Sequence, residues 1–193
     1  MKPALALTVV CACLQAGWAV AQPHGTEAAL EDARKAAAEL LTSTRGELLK
    51  AIDNSGPLRA VVVCKYTVPE IASAVSRKYG ARVTRVSLAP RNPVLGWGDA
   101  WEQKTLLAFE DRVARGEKAE GMEFHEVVTE PAGRFMRYMR VLPQAPVCMS
   151  CHGPAEQLTE SIRNQLAHDY PHDKATGTPL GKVRGAVTYK KPV

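Results

Sequence analysis

Cys148-Met149-Ser150-Cys151-His152 places two thiols one short turn apart with an imidazole directly behind them. Any fold of this chain must bring both sulfurs to one side and keep the ring beside them. Three chemistries use such a cluster. A redox dithiol usually opens a helix after a strand. Here Pro146 precedes the cluster and Gly153-Pro154 follows it. A structural zinc site needs a second Cys/His pair at short spacing, and the sequence has none, although His168 and His172 lie downstream. The third chemistry is c-type haem attachment, in which Cys148 and Cys151 form thioethers to the porphyrin vinyl groups. His152 then becomes the proximal iron ligand.

That third reading requires an exported chain, and the N-terminus supplies the signal. Lys2 is followed by an uncharged run ending in Ala19-Val20-Ala21. Small residues at the first and third positions before a cut mark a signal peptide, so residues 1–21 are read as one, cleaved near Ala21. A retained anchor and a lipid anchor on Cys13 are the competing readings; Pro3, Gln15 and the A-x-A ending favour cleavage. The mature chain then has about 172 residues, and loss of Lys2 takes the net charge from +5 to +4. It carries no stable membrane span, and its expected location is the periplasm. Cys11 and Cys13 leave with the signal, so Cys64, Cys148 and Cys151 remain. Three thiols cannot pair within one chain, which leaves at least one free, metal-bound or modified.

The mature chain reads as a helix over 22–57 followed by one domain over 58–193. Leu30, Ala33, Ala37, Leu41, Leu48 and Ile52 recur at helical steps over 26–52, and Asn54-Ser55-Gly56-Pro57 stops the helix. Arg59–Cys64 reads as a β-branched strand. Thr67-Val68-Pro69-Glu70 reads as a capping box with Thr67 as N-cap, opening a helix that Gly80 closes after Tyr79. Arg82–Leu88 alternates as a strand, Pro90–Gly98 is a loop, and Asp99–Glu102 caps a helix running to about Arg115. Gly121–Thr129 and Arg134–Leu142 form a hairpin. A helix over 155–167, a loop over 168–181 and a strand over Lys182–Tyr189 complete the chain. Five strands and four helices in this order predict an α+β fold, a central antiparallel sheet with flanking helices.

The iron's sixth ligand has several candidates: His24, His125, His168, His172, Met122, Met136, Met139 and Met149. Cys64 is another, ending the expected strand just before a helix N-terminus with Lys65 beside it, both of which favour a thiolate. A buried inert cysteine is the plainer reading of the same residue. The propionates call for cationic partners, and Arg91, Arg134, Arg137, Arg140 and Arg184 are available. Arg91, Arg137 and Arg184 are the expected propionate contacts.

A family resemblance sharpens these choices. Val63-Cys64, Pro69-Glu70-Ile71-Ala72, Val86-Ser87-Leu88, Arg91-Asn92-Pro93 and Ala100-Trp101-Glu102 carry it. So do Arg137-Tyr138, Cys148 to Gly153, Tyr170 to Gly177 and Arg184-Gly185-Ala186. The set resembles the periplasmic single-haem c-type cytochromes first characterised in cyanobacteria, a family also found as sensor domains of histidine kinases. The likeness covers nearly the whole mature chain. It implies a PAS-like fold, one covalent haem c, and His/Cys axial ligation with His152 and Cys64 as the matching residues. The stretch Val94-Leu95-Gly96-Trp97-Gly98 departs from the family's Asn/Pro-rich link.

A thiolate ligand stabilises ferric over ferrous iron, so a low potential follows. That suits electron transfer with a redox partner protein, or redox sensing. A sensor of a small gas ligand, NO or CO, working through a partner is the alternative reading. A Cys-ligated haem enzyme ranks last, because no substrate site, nucleophile–base pair or phosphate loop is evident. No basic patch dense enough for nucleic acid is present either.

Overall fold

The computed structural model describes residues 24–193; the expected signal peptide and its cleavage site lie outside them. Four antiparallel strands form one sheet in the order β1-β4-β3-β2: β1 (Arg82–Val86), β2 (Glu123–Glu130), β3 (Gly133–Pro143) and β4 (Val183–Pro192). Successive side chains alternate between its two faces. One face presents Val83, Met136, Tyr138, Val187 and Tyr189 to helix α1 (His24–Ser55) and helix α3 (Thr67–Tyr79). Ala33, Ala36, Ala37 and Leu40 of α1 are fully buried there. The small size of the three alanines lets the helix lie close to the sheet. The other face presents Val86, Met139, Val141 and Ala186 to Leu106, Phe109 and Val113 of α5 (Ala100–Ala114). Both sheet faces are therefore covered, and the predicted α+β class holds.

Among the described residues the strand count is four rather than five. Arg59–Cys64 is not a strand but part of helix α2 (Pro57–Lys65). Pro57 at the first helical position preorganises the backbone, and Gly56, at φ +78°, ends α1 just before it. A short valine run carries a strand propensity that tertiary burial overrides; Ala60, Val61 and Val63 are buried here on helical spacing. Thr67 is likewise not an N-cap. Tyr66 both ends α2 and begins α3, so Thr67 is already helical and no side chain caps it. The stretch expected as a helix over 155–167 is a 3-10 turn, Ala155–Gln157, followed by α7 (Glu160–Asp169) with Thr159 accepting from the Ile162 N–H. Within Pro90–Gly98 a single turn, α4 (Pro93–Gly96), is capped by the Asn92 side chain.

A buried charge network joins α5 to the sheet. Asp99 and Glu102 form a reciprocal capping box. Glu102 is inaccessible to solvent, and its Oε1 accepts from Thr188 Oγ1 at 2.7 Å and from Arg82. Arg137 lies 2% exposed with its guanidinium against Asp99, Glu102 and Glu130 and over the Trp101 ring. Nearby, Gly185 sits at φ +155° where an added Cβ would fall 2.5 Å from the Val86 carbonyl, so only glycine lets β4 approach β1 there. Removing one partner of a buried ion pair leaves an uncompensated charge. Glu102→Ala is expected to lower unfolding stability by about 3 kcal/mol, read by urea denaturation, and Glu102→Gln by less, because the amide still accepts from Thr188.

Candidate functional site

The cysteine pair folds into a tight, proline-started turn. Pro146 opens a 3-10 turn, Pro146–Cys148, which runs straight into the single helical turn α6 (Met149–His152). Cys148 and Cys151, three residues apart on helical backbone, share one face of it. Gly153 ends the turn against the Met149 carbonyl, where a Cβ would lie only 2.6 Å from that oxygen. Cys151 packs on a third apolar cluster built from Val61 of α2, Leu158, Ile162 and Leu166 beside α7, and Tyr170.

His152 is oriented by the segment after α7. Its Nδ1 lies 2.8 Å from the Ala175 carbonyl. Gly177 N–H donates to the carbonyls of His152 and Gly153, both at 3.0 Å. Arg184 Nε also lies 3.2 Å from Nδ1. One nitrogen cannot both donate to the carbonyl and accept from the guanidinium, and the shorter carbonyl contact identifies Nδ1 as the protonated donor. Burial, together with the nearby Arg184 and Arg91 charges, holds the imidazole well below its usual range. The ring is thus neutral at pH 7 with the Nε2 lone pair free, the form that binds a metal.

The surroundings are cationic. Arg91 is 9% exposed, donates to the Cys151 carbonyl and faces Asp173. Its Nε stands 3.2 Å from Asp173 Oδ2 without the alignment of a hydrogen bond, so that attraction is coulombic. Among the described residues Arg184 hydrogen-bonds, besides the ring, to two neutral groups, the Ser87 hydroxyl at 3.2 Å and the Ala89 carbonyl at 3.3 Å. Burial and the charges of Arg91 and Arg85 push its guanidinium down to about 10. Burial also pushes the Cys151 thiol up, against the pull of Arg91.

Cys64 lies in the last turn of α2, one turn beyond Val61, the residue that packs with Cys151. α2 packs against both α6 and α7 and thereby brings Cys64 to the same end of the molecule as Cys151 and Tyr170. With Arg59–Cys64 helical, Cys64 sits at the carbonyl end of one helix as well as ahead of the next. Arg137 is not brought to this cluster; its partners are the carboxylates and the indole of the α5 face. Met122, Met136 and Met139 fill the cores on the two sheet faces, and His125 is exposed on the edge strand β2. His168 is exposed beside Asp169, and His172 is exposed in the loop beyond α7. Met149 accepts from Gln144. The side chain of His24 lies outside the described residues. Among the described residues no three His, Cys, Asp or Glu side chains converge on a bare ion, and no helix is long and apolar enough to cross a membrane.

These features define a PAS-like α+β domain that carries C-x-x-C-H on a turn beside its sheet. The Tll0287-like family profile matches residues 22–192, and the chain belongs to that family. The crystal structure of the cyanobacterial heme-protein Tll0287 superposes with a TM-score of 0.61 at 19% identity, covering 89% of this chain and 97% of that one. At that identity the likeness shows the fold. No curated protein matches.

Lys65, next to Cys64, fastens α2 to α7 through Asp169 at 2.7 Å. That bond, with help from Gln165 and His168, holds the Asp169 carboxyl at about 2. In the unfolded chain it titrates near its ordinary value of about 4. The folded carboxyl is the stronger acid, so the bond stabilises above pH ~4 and its contribution is lost as pH falls toward 2. The stability gap between wild type and Asp169→Asn is therefore expected to be constant from pH 7 to about 4 and to close by about pH 2, followed by urea unfolding.

Proposed function

We propose that this chain is an exported single-haem c-type cytochrome, ligated by His152 and Cys64, that acts in electron transfer or redox sensing. The observation that carries the reading is the His152 ring, neutral, with Nδ1 bound to the Ala175 carbonyl and Nε2 left free. Second, two free thiols stand on one face of the turn directly before it. The electrostatics fit the same group: a largely buried Arg184, with no salt-bridge partner among the described residues and close to Arg91, suits an acidic cofactor edge. The family membership and the heme-protein of the same fold support it further.

In this reading Cys148 and Cys151 hold the cofactor covalently, and His152 offers Nε2 to the iron. Bound haem supplies a one-electron ferric/ferrous couple. Cys64 approaches from α2, and as a thiolate it favours the oxidised state and sets a low potential. Arg91 and Arg184 face the propionates. Arg137, held by three carboxylates through its two terminal nitrogens, belongs to the fold instead. The periplasm is the expected compartment, since thioether attachment accompanies export.

Cys64 is half-buried rather than sealed, which favours a second reading in which a diatomic gas displaces it from reduced iron. Cys64→Ala is expected to change the ferric visible and EPR spectra and to raise the reduction potential. An unchanged spectrum and potential would contradict His/Cys ligation. Uptake of CO by the reduced wild-type protein favours gas sensing; a fast reversible couple indifferent to CO favours electron transfer.

A further inference from the structure

We propose that Asp173 is a positioning residue for His152, acting through the Ala175 peptide and through Arg91. The proposal rests on the haem reading above and concerns how this chain sets its proximal ligand. The contacts form a closed ring. Asp173 Oδ1 accepts from the Ala175 N–H at 2.7 Å. The Ala175 carbonyl accepts from His152 Nδ1 at 2.8 Å. Cys151, bonded in sequence to His152, has its carbonyl held by Arg91, whose Nε lies 3.2 Å from Asp173 Oδ2.

The two carboxylate oxygens therefore have separate tasks. One fixes the backbone that carries the ring's acceptor. The other neutralises the arginine that grips the haem-binding turn. The frame is anchored further by Lys174 N–H donating to the Pro90 carbonyl at 3.1 Å, adjacent to Arg91, and by Asp173 N–H donating to the Tyr170 carbonyl at 2.9 Å. Ala175 is wholly buried and Asp173 is largely so, which shields the ring of bonds from competing water. Groups that orient a metal-bound histidine through its second nitrogen raise its basicity and fix its tautomer. Asp173 also brings a negative charge to a site where Arg85, Arg91 and Arg184 supply positive charge, so its removal disfavours ferric iron.

Two substitutions separate charge from shape. Asp173→Asn keeps an acceptor for the Ala175 N–H and removes the charge facing Arg91; Asp173→Glu keeps the charge. In the haem-loaded protein Asp173→Asn is expected to shift the reduction potential upward, and Asp173→Glu to return it toward wild type. A wild-type potential in Asp173→Asn, or equal shifts in both variants, would overturn the charge role. The haem-free chain provides an independent readout through nitrogen NMR of the His152 ring. The Nδ1-protonated tautomer is expected to dominate in wild type and to lose that dominance in Asp173→Ala. An unchanged tautomer ratio in a folded Asp173→Ala chain overturns the positioning role, whether or not the wild type binds haem; a wild type that binds none overturns the proposed function alone.

Discussion

The bond from His152 Nδ1 to the Ala175 carbonyl joins two segments 23 residues apart. It decides which nitrogen carries the proton, which way the ring turns, and which lone pair is left for a metal. Most of the surrounding structure serves to hold its two ends. On the histidine side, Pro146 and Gly153 bound a turn too short to be stable alone, and Gly177 ties down its last two carbonyls. On the carbonyl side, Asp173 and Pro90 fix the backbone through the Ala175 and Lys174 amides. Neither half has a helix or strand of any length, so the site depends on side-chain and cross-chain bonds between irregular segments.

The rigid parts lie behind. Two covered sheet faces and the Arg137–Glu102 network fix β1 and β4, and these carry Ser87 and Arg184 to the edge of the site. The α2–α7 layer is separate from both faces. It has its own apolar cluster around Val61 and Leu166, and its own ion pair, Lys65–Asp169. Cys64 belongs to this layer, whereas His152 belongs to the turn that Cys151 packs against it. The distance between the two proposed iron ligands therefore follows from packing between layers, a softer constraint than a hydrogen-bonded sheet.

Much of this was legible in the sequence, and the parts that were not share a cause. The Asp99–Glu102 capping box, the β2–β3 hairpin and the end of α1 at Gly56 rest on local signals, and local backbone chemistry determines them. Arg59–Cys64 misled because three valines in a row look like a strand, and only the burial of Ala60, Val61 and Val63 on one helical surface reveals otherwise. At the site, the cysteines and His152 announce themselves by spacing. Asp173 and Ala175 do not, because their contribution runs through a main-chain amide and carbonyl that any residue possesses. The hints were the place of Tyr170 to Gly177 in the family resemblance and the aspartate itself, which can bond an amide two residues on. Arg137 shows the converse: its charge suggested a cofactor contact, and its place on the inner face of β3 gave it to three carboxylates.

A single haem held covalently through Cys148 and Cys151 would leave a permanent mark on the mass of the chain. Intact-mass measurement under denaturing conditions tests it most directly, on protein made in a host that assembles c-type cytochromes. The expected result is a chain heavier by one haem, the pigment staying with the polypeptide after unfolding, and loss of that mass when both Cys148 and Cys151 are replaced by alanine. A wild-type chain at its bare polypeptide mass, or one that releases its haem on denaturation, would contradict it.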